Sequence, residues 1–230
     1  MPQDISKDPR VLMVEYVLKR LKELTITKRY KLPASKEKTL EAINKMNSSI
    51  KTIKFSYIAP EDLINDRMIK EFDLMANQFW DAILKNYKEI EKNKLIALEL
   101  KFIFNILRGF RDRLKLGNTI TLDKAIDIIA VKIISITKLD KKGTLNVCRV
   151  GNGEEIISIV TNLTNLKKDM VVPAAILPPR EFGSEISEAM FCSNQDLLEM
   201  HGYVGERVLN LPETNLKEVR QHVMTLLKDI

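Results

Sequence analysis

The hydrophobic period of this chain changes once, at Leu116-Gly117-Asn118, and the change divides the chain into two folding units of different class. Before it, apolar residues recur at three- and four-residue steps, the spacing of helices with one buried face. After it come short β-branched runs bounded by turn residues, the spacing of strands. A Gly behind a helical run is a common C-terminal stop, so the boundary is expected at residue 117. The resulting organisation is a basic helical domain over 1–117 and a β domain over 118–230.

The helical half has readable ends. Val11, Val14, Leu18 and Leu21 mark one face of a first helix over Pro9–Leu24, with Asp8 as N-cap and Pro9 in the first turn. Residues 26–35 form a connection containing Lys28-Arg29-Tyr30-Lys31. Ser35 caps a second helix, Lys36–Ser48, with Leu40, Ile43 and Met46 on one face. The segment TIKFSYI, residues 52–58, reads as a short strand or an extended link, and its periodicity does not choose between them. Pro60 opens the longest helical run, with Phe72, Met75, Phe79 and Trp80 assigned to the core. Asn93 breaks that run, and a further helix over Lys94–Leu116 is expected to fold back on it as an antiparallel hairpin.

In the second half, strands are expected over Ile126–Thr137, Thr144–Val150, Glu155–Thr161, Val171–Ile176, Ala189–Cys192 and Gly205–Leu209. Lys141-Lys142-Gly143 and Gly151-Asn152-Gly153 are turn signals between them, and a proline-rich connection precedes Ala189. This spacing fits a small β-barrel of Greek-key character. Asn215, with Glu218 three residues on, caps a last helix whose Leu216, Val219, Val223, Leu226 and Leu227 share a face.

The net charge of +6 is unevenly held. Residues 1–117 carry 24 Lys and Arg against 16 Asp and Glu, while residues 118–230 carry 13 against 15. The basic excess belongs wholly to the helical half. Such a half can neutralise phosphates and draw in nucleic acid. Lys-rich helices are also simply solvated, and composition alone does not decide. The start, MPQDISKDPR, lacks a basic stretch followed by an apolar one, so no signal peptide is expected. No apolar run approaches the roughly 20 residues of a membrane span. Cys148 and Cys192 stand alone, which fits a thiol-reduced cytoplasmic protein.

Catalytic signals are weak. With only His201 and His222, no His-rich metal site is expected, and nothing calls for a cofactor. A Cys192–His201 nucleophile lacks a third, orienting group. Glu61 and Asp62 follow Pro60, where acidic residues favour a helix start. The chain reads as a non-enzyme.

The β half resembles the tRNA-binding OB-fold module attached to several aminoacyl-tRNA synthetases. That module also occurs in the bacterial phenylalanyl-tRNA synthetase β subunit and as small free-standing dimers. The likeness runs over Ile126–Leu209. Asn146-Val147-Cys148-Arg149-Val150-Gly151 resembles the second strand with its V-C-x-V run. Ile159-Val160-Thr161-Asn162-Leu163 resembles the third strand and its turn. Asp169-Met170-Val171-Val172-Pro173 resembles G-x-x-V-x-V. Ser187-Glu188-Ala189-Met190, followed by Phe191-Cys192-Ser193, resembles the S-x-G-M signature and the strand end behind it. The departures are Ala189 for Gly, Lys142-Gly143-Thr144-Leu145 for A-D-K-L, and Pro178-Pro179-Arg180-Glu181-Phe182-Gly183 for a Lys-rich stretch.

The helical periodicity and the resemblance together give an α+β protein: an N-terminal all-helical domain, then an OB-fold β-barrel with a C-terminal helix. The resemblance implies tRNA or another structured RNA as ligand, an aminoacyl-tRNA synthetase as partner protein, and a homodimer. An OB fold grips nucleic acid with basic groups and exposed aromatics on one barrel face. The candidates there are Lys132, Lys138, Lys141, Lys142, Arg149, Arg180 and Arg207, with Phe182 and Phe191 as the aromatics. Phe191, inside a strand, is assigned to the core. Arg108, Arg111 and Arg113 add a cluster at the end of the last N-terminal helix. Ser187, Met190 and Ser193 carry the family signature, with the serines in a structural role. The alternative is a protein-interaction or dimerisation scaffold whose barrel has lost most RNA affinity, in line with its thin set of basic groups.

Overall fold

A computed structural model describes residues 5–140, 143–228 and 230. It divides into two compact units, residues 1–125 with 224–230, and residues 126–223.

The first unit contains α1 (Pro9–Ile26), α2 (Lys36–Lys54), α3 (Pro60–Leu63), α4 (Arg67–Leu84), α5 (Tyr87–Ile90), α6 (Lys94–Arg108) and α7 (Phe110–Leu114). Helix α1 packs on α2 and α6, and α4 packs on α2 and α6, so four long helices close a ring around one core. Val14, Leu18, Ile43, Ile50, Phe72, Leu100 and Leu107 are fully buried in it. Phe72 meets Phe110 edge-on at 5.8 Å, and Phe79 meets Phe104 at 5.4 Å. The paired positions run in opposite directions, so α4 and α6 form the antiparallel hairpin that their spacing predicts. Phe72 and Phe79 are core, whereas Met75 and Trp80 are only half-buried.

The first two caps fall where the sequence places them. The carboxylate of Asp8 accepts from Arg10 N at 2.9 Å, and Ser35 Oγ accepts from Lys38 N at 3.3 Å. Three element ends differ from expectation. Residues 52–54 complete α2 rather than forming a strand or link, because Ile50 and Ile53 continue its buried face. The run from Pro60 is split at Asp66, whose carboxylate caps α4 by accepting from Met68 N at 2.7 Å. It is split again at Asn86. The last N-terminal helix is broken at Gly109. A Cβ there would lie 2.7 Å from Arg113 Nη1 and 2.9 Å from Asn105 O.

One buried charge network ties the ends of this unit together. Asp8 and Arg10 are almost completely buried. Arg10 Nη2 pairs with Asp8 Oδ2 at 2.6 Å. Arg10 Nη1 donates to Gly117 O at 2.8 Å and Arg113 O at 3.2 Å, so an arginine at the start of α1 satisfies carbonyls at the end of α7. Asp73 sits in a less favourable place. Its Oδ1 is buried with no hydrogen-bond partner among the described residues. Burial pushes its carboxyl up to about 6, against the opposing pull of Arg111.

The second unit holds five antiparallel strands: β1 (Ile128–Lys138), β2 (Asn146–Gly151), β3 (Ile156–Thr161), β4 (Val171–Phe182) and β5 (Glu185–Phe191). They are ordered β3-β2-β1-β4-β5, an OB-type barrel. A bulge in β1 between Ile133 and Ser135 lets the long first strand serve both β2 and β4. Val131, Ile133, Cys148, Val150, Ile157, Ile159, Val172 and Phe191 fill the interior.

The proline-rich segment is a strand rather than a connection. Pro178 and Pro179 fall inside the register shift of the β4–β5 pair between Ile176 and Arg180, where the ladder is interrupted and the missing N–H groups are tolerated. Gly205–Leu209 forms no named strand. It lies along the start of β1 through the single bridge Ile129–Arg207, where Ala130 N donates to Glu206 O at 2.9 Å. The last helix, α8 (Glu213–Leu227), begins two residues before Asn215, so Asn215 lies in its first turn and is not its cap.

Replacing Arg10 by Ala leaves the Asp8 carboxylate buried without its partner and uncaps the α7 carbonyls. We expect a loss of about 3–5 kcal/mol, read from the urea midpoint of the full chain.

Candidate nucleic-acid interface

The two ends of the five-stranded order, β3 and β5, meet along a seam that no backbone ladder joins. Side chains close it instead. Ser187 Oγ accepts from Val160 N at 2.9 Å and donates to Ala189 O at 3.0 Å. Glu188 Oε1 accepts from Ser158 N at 3.0 Å. Residues 158 and 160 are alternate positions of β3, so both amides on its free edge find acceptors on β5. Ser187 is buried, shares the inward parity of Ala189 and Phe191, and is structural. Ser193 also works locally, its Oγ accepting from Gln195 N at 3.0 Å. Met190 is half-buried opposite Ala175.

The outer face of β1 and β2 carries the basic candidates. Lys132 alternates with interior Val131 and Ile133, and Arg149 with interior Cys148 and Val150, so both point away from the core. Arg149 stands in register with Ser135 on β1 and Ser158 on β3. Ser158 Oγ is buried without a partner among the described residues.

Three of these cations already have a carboxylate. Lys132 Nζ lies 3.0 Å from Asp169 Oδ1, and this lysine holds the Asp169 carboxyl below its usual range. Arg149 Nη2 lies 2.8 Å from Glu185 Oε2. Arg207 pairs with Asp127 and donates to Ile126 O at 3.2 Å. Lys138 and Arg180 are exposed at the ends of their strands, Lys138 opposite Asn146 and Arg180 opposite Ser187. Lys141 and Lys142 lie outside the described residues. Phe191 is core, and half-buried Phe182 pairs with Glu185 beside the β4–β5 turn.

In the helical unit the arginine cluster is split by burial. Arg113 is 1% exposed and donates to Asn105 O at 3.2 Å and to Ile106 O, so it does not face solvent. Arg111 is half-buried on Ile64 O at 2.8 Å. Arg108 is exposed and donates to Asn77 Oδ1 at 2.9 Å. Lys28, Arg29 and Lys31, in the link between α1 and α2, are exposed.

The carboxylate partners are what reading the cations alone misses. One signal was present. Asp169 stands where the resembled pattern has Gly, and its φ is 71°, the left-handed conformation that glycine adopts most easily. The replacement puts a negative charge within reach of Lys132.

The two cysteines are not activated as nucleophiles. Burial pushes the Cys148 thiol up to about 11 and the Cys192 thiol up to about 12, leaving both protonated near neutrality. His201 Nε2 is held by Asp196 Oδ1 at 2.8 Å, and that oxygen also accepts from Val171 N. Among the described residues, no group of three His, Cys, Asp or Glu side chains is placed to hold a metal ion. No described helix is long and apolar enough to cross a membrane.

An OB-type barrel preceded by a helical unit therefore defines the class. Residues 1–117, just over half of the chain, match the family model described as "Alpha helical domain". Residues 128–217 match the one described as "Putative tRNA binding domain". The chain belongs to the first family, and its barrel is similar to the second. No curated protein matches the sequence.

Replacing Ser187 by Ala removes the acceptor for Val160 N and the donor to Ala189 O at the barrel seam. A loss of about 1–3 kcal/mol is expected, measured by thermal or urea unfolding. Hydrogen exchange at the Val160 amide should accelerate in step.

Proposed function

We propose that this protein is a non-catalytic RNA-binding protein whose ligand is tRNA, held by the barrel with help from the basic helical unit. The observation that carries this reading is the match of residues 128–217 to a tRNA-binding family over a segment folded as an OB-type barrel. Three of the barrel's candidate cations, Lys132, Arg149 and Arg207, already hold carboxylates. Much of the phosphate attraction then falls to the helical half, with its 24 Lys and Arg against 16 Asp and Glu. Lys28, Arg29 and Lys31 are exposed together and suit that role. An aminoacyl-tRNA synthetase partner accompanies this reading by resemblance, and a cytoplasmic location by the two lone cysteines.

The test is filter binding of tRNA to the full chain across a salt series. Affinity should fall with salt by about 0.7–0.9 log units per log unit for each phosphate neutralised. Changing Lys28, Arg29 and Lys31 together to Gln should weaken binding several-fold and flatten the slope by about two to three phosphates. Folded protein that binds no tRNA at low salt would refute the reading.

A second reading, dimerisation through the helical unit, is favoured by a groove of about 340 Å³ between α2 and α4. Its apolar lining includes Ala42, Met46, Met75, Phe79 and Ala82. A second copy is the occupant this reading requires. Light scattering would then give twice the 26.5 kDa chain mass, and a concentration-independent monomer would dismiss it.

A further inference from the structure

The ion pairs on the outer face of the barrel have a consequence for binding. Arg149 lies mid-strand on β2, and its partner Glu185 is the first residue of β5, just behind the Gly183-Ser184 turn of the β4–β5 hairpin. The two residues come from strands on either side of β3 in the closed barrel, so the salt bridge spans that strand. Both side chains keep solvent access, at 38% and 25% exposure, so a ligand can reach the pair. Lys132, on the outer side of β1, forms a second pair with Asp169, at 48% and 62%.

A phosphate recognises a guanidinium through the same N–H donors that a carboxylate takes. Where the carboxylate is part of the protein, phosphate must displace it or accept a cation whose charge is already cancelled. We propose that Glu185, and secondarily Asp169, act as internal competitors for phosphate that hold down the barrel's affinity for RNA. This inference rests on the tRNA-binding reading above. In the resting protein Arg149 is a latent cation, and Glu185 determines whether it is available.

The pattern of variants distinguishes this from a simple phosphate contact. Full-length wild type, Glu185→Gln, Arg149→Gln, the double variant and Asp169→Asn are compared by filter binding with tRNA across salt. Glu185→Gln should bind about two- to fivefold tighter, the range of one exposed charge interaction. Its salt dependence should steepen by about one phosphate. Arg149→Gln alone should change affinity by less than about twofold, and the double variant should behave like Arg149→Gln. Asp169→Asn, which keeps a residue tolerant of the left-handed conformation, should act in the same direction as Glu185→Gln. Unfolding midpoints confirm that each variant is folded.

If wild type binds, and Glu185→Gln binds no tighter while Arg149→Gln weakens binding, Glu185 only orients Arg149 and the proposal is overturned. If wild type fails to bind at low salt while Glu185→Gln or Asp169→Asn binds, the proposal stands in its strongest form. If none of the proteins binds, the tRNA reading itself falls, and this inference with it.

Discussion

The hydroxyl of Ser187 holds the barrel shut. The strand order β3-β2-β1-β4-β5 leaves two edges, and an open edge exposes unpaired amides to any passing strand. Here the amides of Ser158 and Val160 are taken by the Glu188 carboxylate and the Ser187 hydroxyl. Closure therefore depends on two adjacent side chains of opposite parity, one facing in and one facing out. The register of Arg149 beside Ser158 is set by the β2–β3 ladder next to that seam. The S-x-x-M spacing is thus a structural device first. Its serine makes the surface possible without belonging to it.

The helical unit uses charge in a similar way. Arg10 and Arg113 look like surface cations in the sequence, yet both are buried and spend their donors on main-chain carbonyls. Arg10 is neutralised by Asp8, which also caps α1. The basic excess of the N-terminal half therefore overstates what a ligand meets. The cations that do reach solvent include those of the α1–α2 link, where no helix face claims them.

Two caps were legible in the sequence. Asp8 and Ser35 each precede a periodic run, and each accepts from a backbone amide two or three residues on. Asn93, read only as a break, caps α6 by accepting from Ile96 N, and Asn215, read as a cap, lies inside α8. The five strands were legible as β-branched runs, though not their ends. Pro178 and Pro179 disguised the continuation of β4, because a proline reads as a break unless a register shift absorbs it. Residues 52–58 were ambiguous since seven residues are too few to show a period, and only 52–54 belong to α2. Gly109 gave no warning, because its constraint comes from Arg113, a residue on the next turn. At the candidate interface, residue type placed Lys132 and Arg149 on the outer face. Their pairing with Asp169 and Glu185 is a three-dimensional fact, since these partners are 37 and 36 residues away.

The balance between the units is the central claim: a barrel that supplies shape and a few restrained cations, and a helical half that supplies most of the field. Titrating the isotopically labelled full chain with tRNA and following backbone amide shifts tests it most directly. The account predicts changes at Lys132, Ser135, Arg149 and Ser158 on the barrel, together with changes at Lys28, Arg29 and Lys31. Shifts that leave the outer face of β1 and β2 untouched, at saturating tRNA, would contradict it.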